Sequence, residues 1–199
     1  MTENNQDELI EMSGRMHIAL EMLESCKNFA FLIPEVRSNL VYAKEKSENP
    51  RDVLAIDGRI TVVDGMPKAA GKPRFGTSSH MARLMLEIRK TKPSIRAGID
   101  FANDPDIAKW LEGYCRHNGL VFSVIDRSHE PDEIKEAEGA SMPWKVAEAV
   151  RAAGGRVPDI FYETGAVGKE PVTVLIGEDP ISVVGEMLSI AHSYRRDII

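Results

Sequence analysis

Ile95-Arg96-Ala97-Gly98-Ile99-Asp100-Phe101, then Asp104-Pro105, then Leu120-Val121-Phe122-Ser123-Val124-Ile125 is the stretch that decides the fold class. The first run reads as a strand and the last as an apolar strand of the buried kind. Between them Ile107, Trp110, Leu111, Tyr114 and Cys115 share one helical face. Asp104-Pro105 is a helix start with proline at the first helical position, and Asn118-Gly119 is a stop. A strand–helix–strand unit of this kind predicts parallel neighbours in an α/β sheet.

The pattern continues on both sides. Toward the N-terminus, residues 1–6 are polar and expected to fray, and Leu9, Met12, Met16, Leu20 and Leu23 mark an amphipathic helix over about 7–27. Pro34 to Ala43 reads as a turn into a strand, and Lys44 to Arg51 as a charged loop. Asp52–Ile56 and Arg59–Val63 read as two strands joined by Asp57-Gly58, a hairpin signal that leaves Arg59 as a strand-edge charge. Toward the C-terminus, residues 127–138 are charged and predicted to be solvated. A helix follows to about Ala153, then strands at Asp159–Tyr162 and Val172–Ile176, and a last helix capped by Asp179-Pro180. The sum is a mixed α/β domain with helices on both sheet faces. It is read as one domain over 1–199, with a helical extension at 1–33 and an α/β body at 34–199.

Composition narrows the function. A formal charge of −6 argues against a general nucleic-acid binder, which needs clustered Lys and Arg. Cys26 and Cys115 lie far apart, without metal-type spacing, which favours a reducing compartment. No apolar run is long enough for a membrane span, and the polar start is unlike a secretory signal, so a cytoplasmic protein without membrane partners is expected.

The densest chemistry lies in Lys72-Pro73-Arg74-Phe75-Gly76-Thr77-Ser78-Ser79-His80-Met81-Ala82-Arg83. It reads as a loop running into a helix, with Met81, Leu84, Met85 and Ile88 at helical spacing. Hydroxyl residues and a helix start suit a phosphate. An ordinary capped helix with a surface His fits the same residues. Thr164 to Pro171 is a second Gly-bearing loop, carrying Lys169. Neither loop is a Walker or dinucleotide motif, and no His/Cys set has zinc spacing. His17, His117, His129 and His192 read as surface residues.

Arg74 to Arg83 resembles the signature of the archaeal-type thiamine-phosphate synthase family, the ThiN domain. Pro34-Glu35-Val36 with Ser38-Asn39, Asp57-Gly58-Arg59-Ile60, Ser141-Met142-Pro143-Trp144 and Gly168-Lys169-Glu170-Pro171 resemble the same family, in its order, across about 34–190. The resemblance implies a three-layer α/β/α fold with a mixed sheet, similar to class II aldolase-like domains. It implies the joining of hydroxymethylpyrimidine diphosphate to hydroxyethylthiazole phosphate, with release of pyrophosphate and with magnesium on the diphosphate. On the matched motifs, Arg59 and His80 are the implied catalytic pair. Arg74, Gly76, Thr77, Ser78, Ser79, Met142, Lys169, Ser38 and Asn39 are implied to bind substrate or phosphate. Arg37 departs from the pattern, since the family is expected to carry a small residue there, often Gly. A thiamine-phosphate-sensing domain of a transcriptional regulator is the alternative. A fused hydroxymethylpyrimidine phosphate kinase domain and a homodimer covering the Met-bearing first helix are further expectations.

Overall fold

The structure, a computed structural model, describes residues 3–135, 141–165 and 170–198. Nine strands are described: β1 Leu40–Ala43, β2 Val53–Ile56, β3 Ile60–Val63, β4 Met66–Ala69, β5 Pro73–Phe75, β6 Ala97–Ala102, β7 Phe122–Ile125, β8 Ile160–Glu163 and β9 Val172–Gly177. The helices are α1 Glu3–Ser25, α2 His80–Thr91, α3 Pro105–Asn118, α4 Asp132–Lys135, α5 Ser141–Ala152 and α6 Pro180–Asp197. Among the described residues a seven-stranded sheet runs β5-β2-β1-β6-β9-β8-β7, and β3 and β4 form a separate ribbon. Every pair in the large sheet is antiparallel except β7 with β8.

Alternation along the strands builds the layers. Leu40, Tyr42, Leu54, Ile56, Ile99, Phe101, Ile160 and Leu175 face one side and pack with α1, α3 and α6. Val41, Ala43, Val53, Ala55, Phe161, Val174 and Ile176 face the other and pack with α2 and α5. The result is a three-layer α/β/α arrangement with a mixed sheet. Met12, Met16 and Leu23 of α1 are fully buried in the first cluster; each such side chain contributes about 1.5–3 kcal/mol of apolar burial. On the second face Gly98 lets α2 approach, since a Cβ there would stand 3.1 Å from the Met85 sulfur.

Several sequence expectations need correction. Asp57-Gly58 does form a turn, but the strands it joins do not pair: β2 lies between β1 and β5, while β3 pairs with β4. The hairpin turn is Asp64-Gly65, where both residues have positive φ, and its left-handed geometry suits the twist of a two-residue hairpin. β6 and β7 run in the same direction, but β9 and β8 separate them. Pro73–Phe75 is a short edge strand rather than a loop, with its proline at the strand start, where no ladder donor is needed. α1 starts at Glu3, ahead of the expected helix and within the stretch expected to fray. The 127–138 stretch is not wholly solvated, because Arg127 and Glu130 are buried.

Strand directions fix which chain ends gather at one end of the sheet. β2, β6, β7 and β8 finish there, and β1, β5 and β9 begin there. α2 leads into the far end of β6, and α5 into the far end of β8, so both helices begin at this same end and on the same face.

Candidate active site

Two turns rise beside this end, stitched to each other. Ser38 bridges Ile60 through both backbone bonds, at 3.1 and 2.7 Å. Arg37 Nη1 donates to the Gly58 carbonyl at 3.1 Å, and Arg59 Nη1 donates to the Val36 carbonyl at 2.6 Å. Arg37 and Arg59 both hold left-handed backbone, at φ 69° and 68°. That conformation costs a non-glycine residue about 1–2 kcal/mol, and such strain concentrates at functional positions. It also explains why a small residue is the expected occupant at position 37. The Arg59 side chain remains exposed.

Beneath these turns Asn39 acts as a strand extension. Its side chain accepts from the Ile56 N–H at 3.0 Å and donates to the Ile56 carbonyl at 3.4 Å. Its backbone N–H donates to Asp100 Oδ1. Asn39 is therefore spent on structure, whereas the buried Ser38 hydroxyl has no hydrogen-bond partner among the described residues. Asp100 lies on the α2/α5 side of β6. Burial raises its pKa to about 6, against the pull of the Asn39 N–H and of the Arg59 charge.

The Arg74–His80 segment is held by its backbone. Gly76 takes φ 76°, a left-handed position, and its N–H bonds Val53. The Thr77 hydroxyl donates toward Ala55 and Arg74 carbonyls at 3.2 and 3.1 Å, and Ser78 is buried. Ser79 is the N-cap of α2, yet its side chain makes no capping bond. The Thr77 hydroxyl thus secures the approach, and the Ser79 side chain leaves the first N–H groups of the helix for a ligand. Arg74 pairs with Asp57 at 3.2 Å on the exposed edge. Met142 is buried in the first turn of α5. Lys169 lies outside the described residues.

His80 opens α2 with an accessible side chain that protein nevertheless surrounds on most sides. That crowding pushes its pKa below the ordinary imidazole value. The positive charges of Lys145, Arg59 and Arg127 push the same way, and Glu163 opposes them.

The sequence reading missed a buried cluster of charges that act on His80. Lys145 Nζ and Arg127 Nη1 both reach Glu163 Oε1 at 2.5 Å. The Nε and Nη2 of Arg127 donate to Glu130 Oε2 at 3.0 and 2.6 Å, and its N–H donates to Thr164 Oγ1 at 2.9 Å. All four charged side chains are buried. Burial lowers the Lys145 pKa despite the Glu163 contact. For Arg127 burial pulls down, but its two carboxylate partners outweigh it and the pKa rises. The signal was present in the sequence. Lys145 sits on the inward stripe Met142, Lys145, Val146, Ala149, and Glu163 shares the face of Phe161.

A family model described as thiamine-phosphate synthase ThiN matches residues 15–189. The thiamine-phosphate synthase ThiN of Methanothermobacter thermautotrophicus is 42% identical over 177 residues, covering 89% of this chain and 90% of that protein. The bifunctional thiamine biosynthesis protein ThiDN of Methanocaldococcus jannaschii is 34% identical over 164 residues, 82% of this chain but 37% of that protein. Among solved structures, the C-terminal domain of a phosphomethylpyrimidine kinase superposes with a TM-score of 0.85 at 33% identity, covering 92% of this chain and 100% of that one. The C-terminal domain of protein MJ0236 gives 0.81 at 32% identity, covering 94% and 96%.

Proposed function

The chain belongs to the thiamine-phosphate synthase ThiN family, and from that membership we propose that it joins hydroxymethylpyrimidine diphosphate to hydroxyethylthiazole phosphate. The thiazole nitrogen attacks the pyrimidine methylene carbon with its lone pair. The carbon–oxygen bond breaks, and pyrophosphate leaves with the bonding electrons. The nucleophile carries no proton that must be removed, so the demands on the protein are alignment and stabilisation of the departing charge.

What supports this reading is that the turn bearing Arg59 and the start of α2 bearing His80 lie at the same sheet end, near enough for the Arg59 charge to act on the imidazole. Arg59 has a fixed anchor at Val36 and further N–H groups for phosphate oxygens. His80, whose pKa is held below the ordinary imidazole value, donates an N–H to the leaving oxygen. The N–H groups at the start of α2 hold another phosphate oxygen. Lys169 and Met142 enter as substrate contacts on the family resemblance. Magnesium enters on the diphosphate: among the described residues no cluster of three or more His, Cys, Asp or Glu offers a protein-built site.

The test is thiamine phosphate formation from the two purified substrates with magnesium, comparing wild type with His80→Ala and Arg59→Ala. The expected loss is on the order of 10²–10⁴-fold in turnover with the fold retained. Near-normal turnover in both variants removes the assigned roles. A folded wild type that binds thiamine phosphate but forms none would favour a sensing domain instead.

A further inference from the structure

Asp100 is a carboxyl at a position where the fold needs only an acceptor. It stands near the end of β6 on the α2/α5 face, in register with Val174 of β9, which Phe161 of β8 flanks in turn. Its Oδ1 accepts the Asn39 N–H, a task that an amide oxygen would perform without the cost of burying a charge. Its Oδ2 takes no hydrogen bond from another described residue, and 8% of the residue stays accessible. The start of α2 lies above it. A Cβ on Gly98 would meet the Met85 sulfur at 3.1 Å, so Met85 sits over Gly98. From there two residues along β6, about 6.6 Å, lead to Asp100, and one turn back along α2, about 5.4 Å, leads to Met81. His80 and Met81, which open α2, therefore stand at the level of Asp100.

We propose that Asp100 Oδ2 accepts a hydrogen bond from the exocyclic amine of the aminopyrimidine substrate, so that Asp100 selects that ring and fixes which end of the molecule enters. The proposal rests on the synthase reading. A carboxylate only accepts, so its ligand must bring an N–H or O–H. In the thiazole phosphate the ring nitrogen carries no hydrogen and the hydroxyl is esterified. In the pyrimidine diphosphate the hydroxymethyl oxygen is esterified too, which leaves the ring amine as the one donor outside the phosphates. Val174, Phe161 and Met81 line the same face with apolar surface suited to a flat ring. The carboxylate also repels the diphosphate, which is left to Arg59 and the helix start. As the carbon–oxygen bond breaks, positive charge spreads from the methylene through the ring to the amine. The amine N–H becomes a stronger donor, and its bond to Asp100 tightens in the transition state. With its pKa at about 6, the carboxyl is largely ionised at pH 8.

The experiment is calorimetry at pH 8 with magnesium and without the thiazole phosphate, so that no turnover occurs. It measures binding of hydroxymethylpyrimidine diphosphate, and of its analogue with hydrogen in place of the ring amine, to wild type and Asp100→Asn. Wild type is expected to prefer the amine roughly 10- to 100-fold. In Asp100→Asn the amide oxygen stays with Asn39 and the amide NH2 meets the ligand, so the preference is expected to shrink to less than about 3-fold. A purely structural role would weaken both ligands alike and leave the preference intact. Equal binding of the two ligands to wild type overturns the proposal whatever the variant does. So does a preference that survives in a folded variant. Failure of wild type to bind either diphosphate would instead sink the synthase reading, and the proposal with it.

Discussion

Replacing Asp100 by asparagine should make the fold more stable at neutral pH and remove a pH dependence that wild type carries. Asp100 Oδ1 accepts the Asn39 N–H, a bond that an amide oxygen in its place can keep. Burial holds the carboxyl at about 6, against an ordinary value of 3.8. The folded state therefore binds this proton more tightly than the unfolded state does. The resulting stability is present below the unfolded value and lost as pH rises through the folded one. That gap corresponds to about 3 kcal/mol, at 1.36 kcal/mol per tenfold step in affinity, and about 2–3 kcal/mol of it falls between pH 4 and pH 7. Urea unfolding of both proteins at pH 4, 5, 6 and 7 isolates the effect, because other titrating groups cancel in the difference. The Asp100→Asn protein should gain about 1 M in midpoint relative to wild type across that range, at unchanged slope. A difference between the two proteins that stays constant from pH 4 to pH 7 would refute the reasoning. It would mean that Asp100 ionises in the native state as readily as in the unfolded chain.

Two arginines with the same backbone geometry should respond differently. Arg37→Gly relieves a left-handed conformation at the loss of one exposed bond to Gly58, so thermal melting should show a gain of up to about 1 kcal/mol with turnover retained. Arg59→Gly should show a comparable backbone gain but lose turnover by on the order of 10²-fold or more, as expected for strain kept at a working position. Gly76→Ala should cost about 1–2 kcal/mol in chemical unfolding, because its φ is 76° and not because of crowding, the nearest side-chain atom being 3.5 Å from the added Cβ.

Where apolar period and end signals agree, the sequence was enough to read the fold. Asp104 and Asp179 cap α3 and α6 through side-chain bonds to the first-turn N–H groups, and Gly119 closes α3 in the left-handed region. Strand partners were less legible, since local signals say where a chain turns and not which strand it returns to. Asp57-Gly58 turned as expected, but Arg59 follows with a second left-handed residue and carries the chain off the sheet into the β3–β4 ribbon. At the site, Arg59 and His80 were reachable from the family motif. Asp100, Lys145 and Glu163 were not, because each sits at a core-facing position inside an otherwise apolar pattern. A reading that assigns such positions to the core passes over the ionisable groups among them.

Those overlooked positions bear on how an acidic protein would bind a diphosphate. The four buried side chains Arg127, Glu130, Lys145 and Glu163 sum to zero charge, so they add little attraction at long range. Arg74 is matched by Asp57. At the described sheet end Arg37 and Arg59, each bonded to a backbone carbonyl, and the positive ends of α2 and α5 stand against a carboxyl at Asp100 that is only partly ionised near pH 6. The positive field there is therefore short-ranged and directional, set by backbone N–H groups and two guanidinium groups. Such an arrangement favours a small, densely charged ligand at one point over an extended polyanion. This is how a chain of net charge −6 could accommodate a diphosphate while offering nucleic acid little to bind.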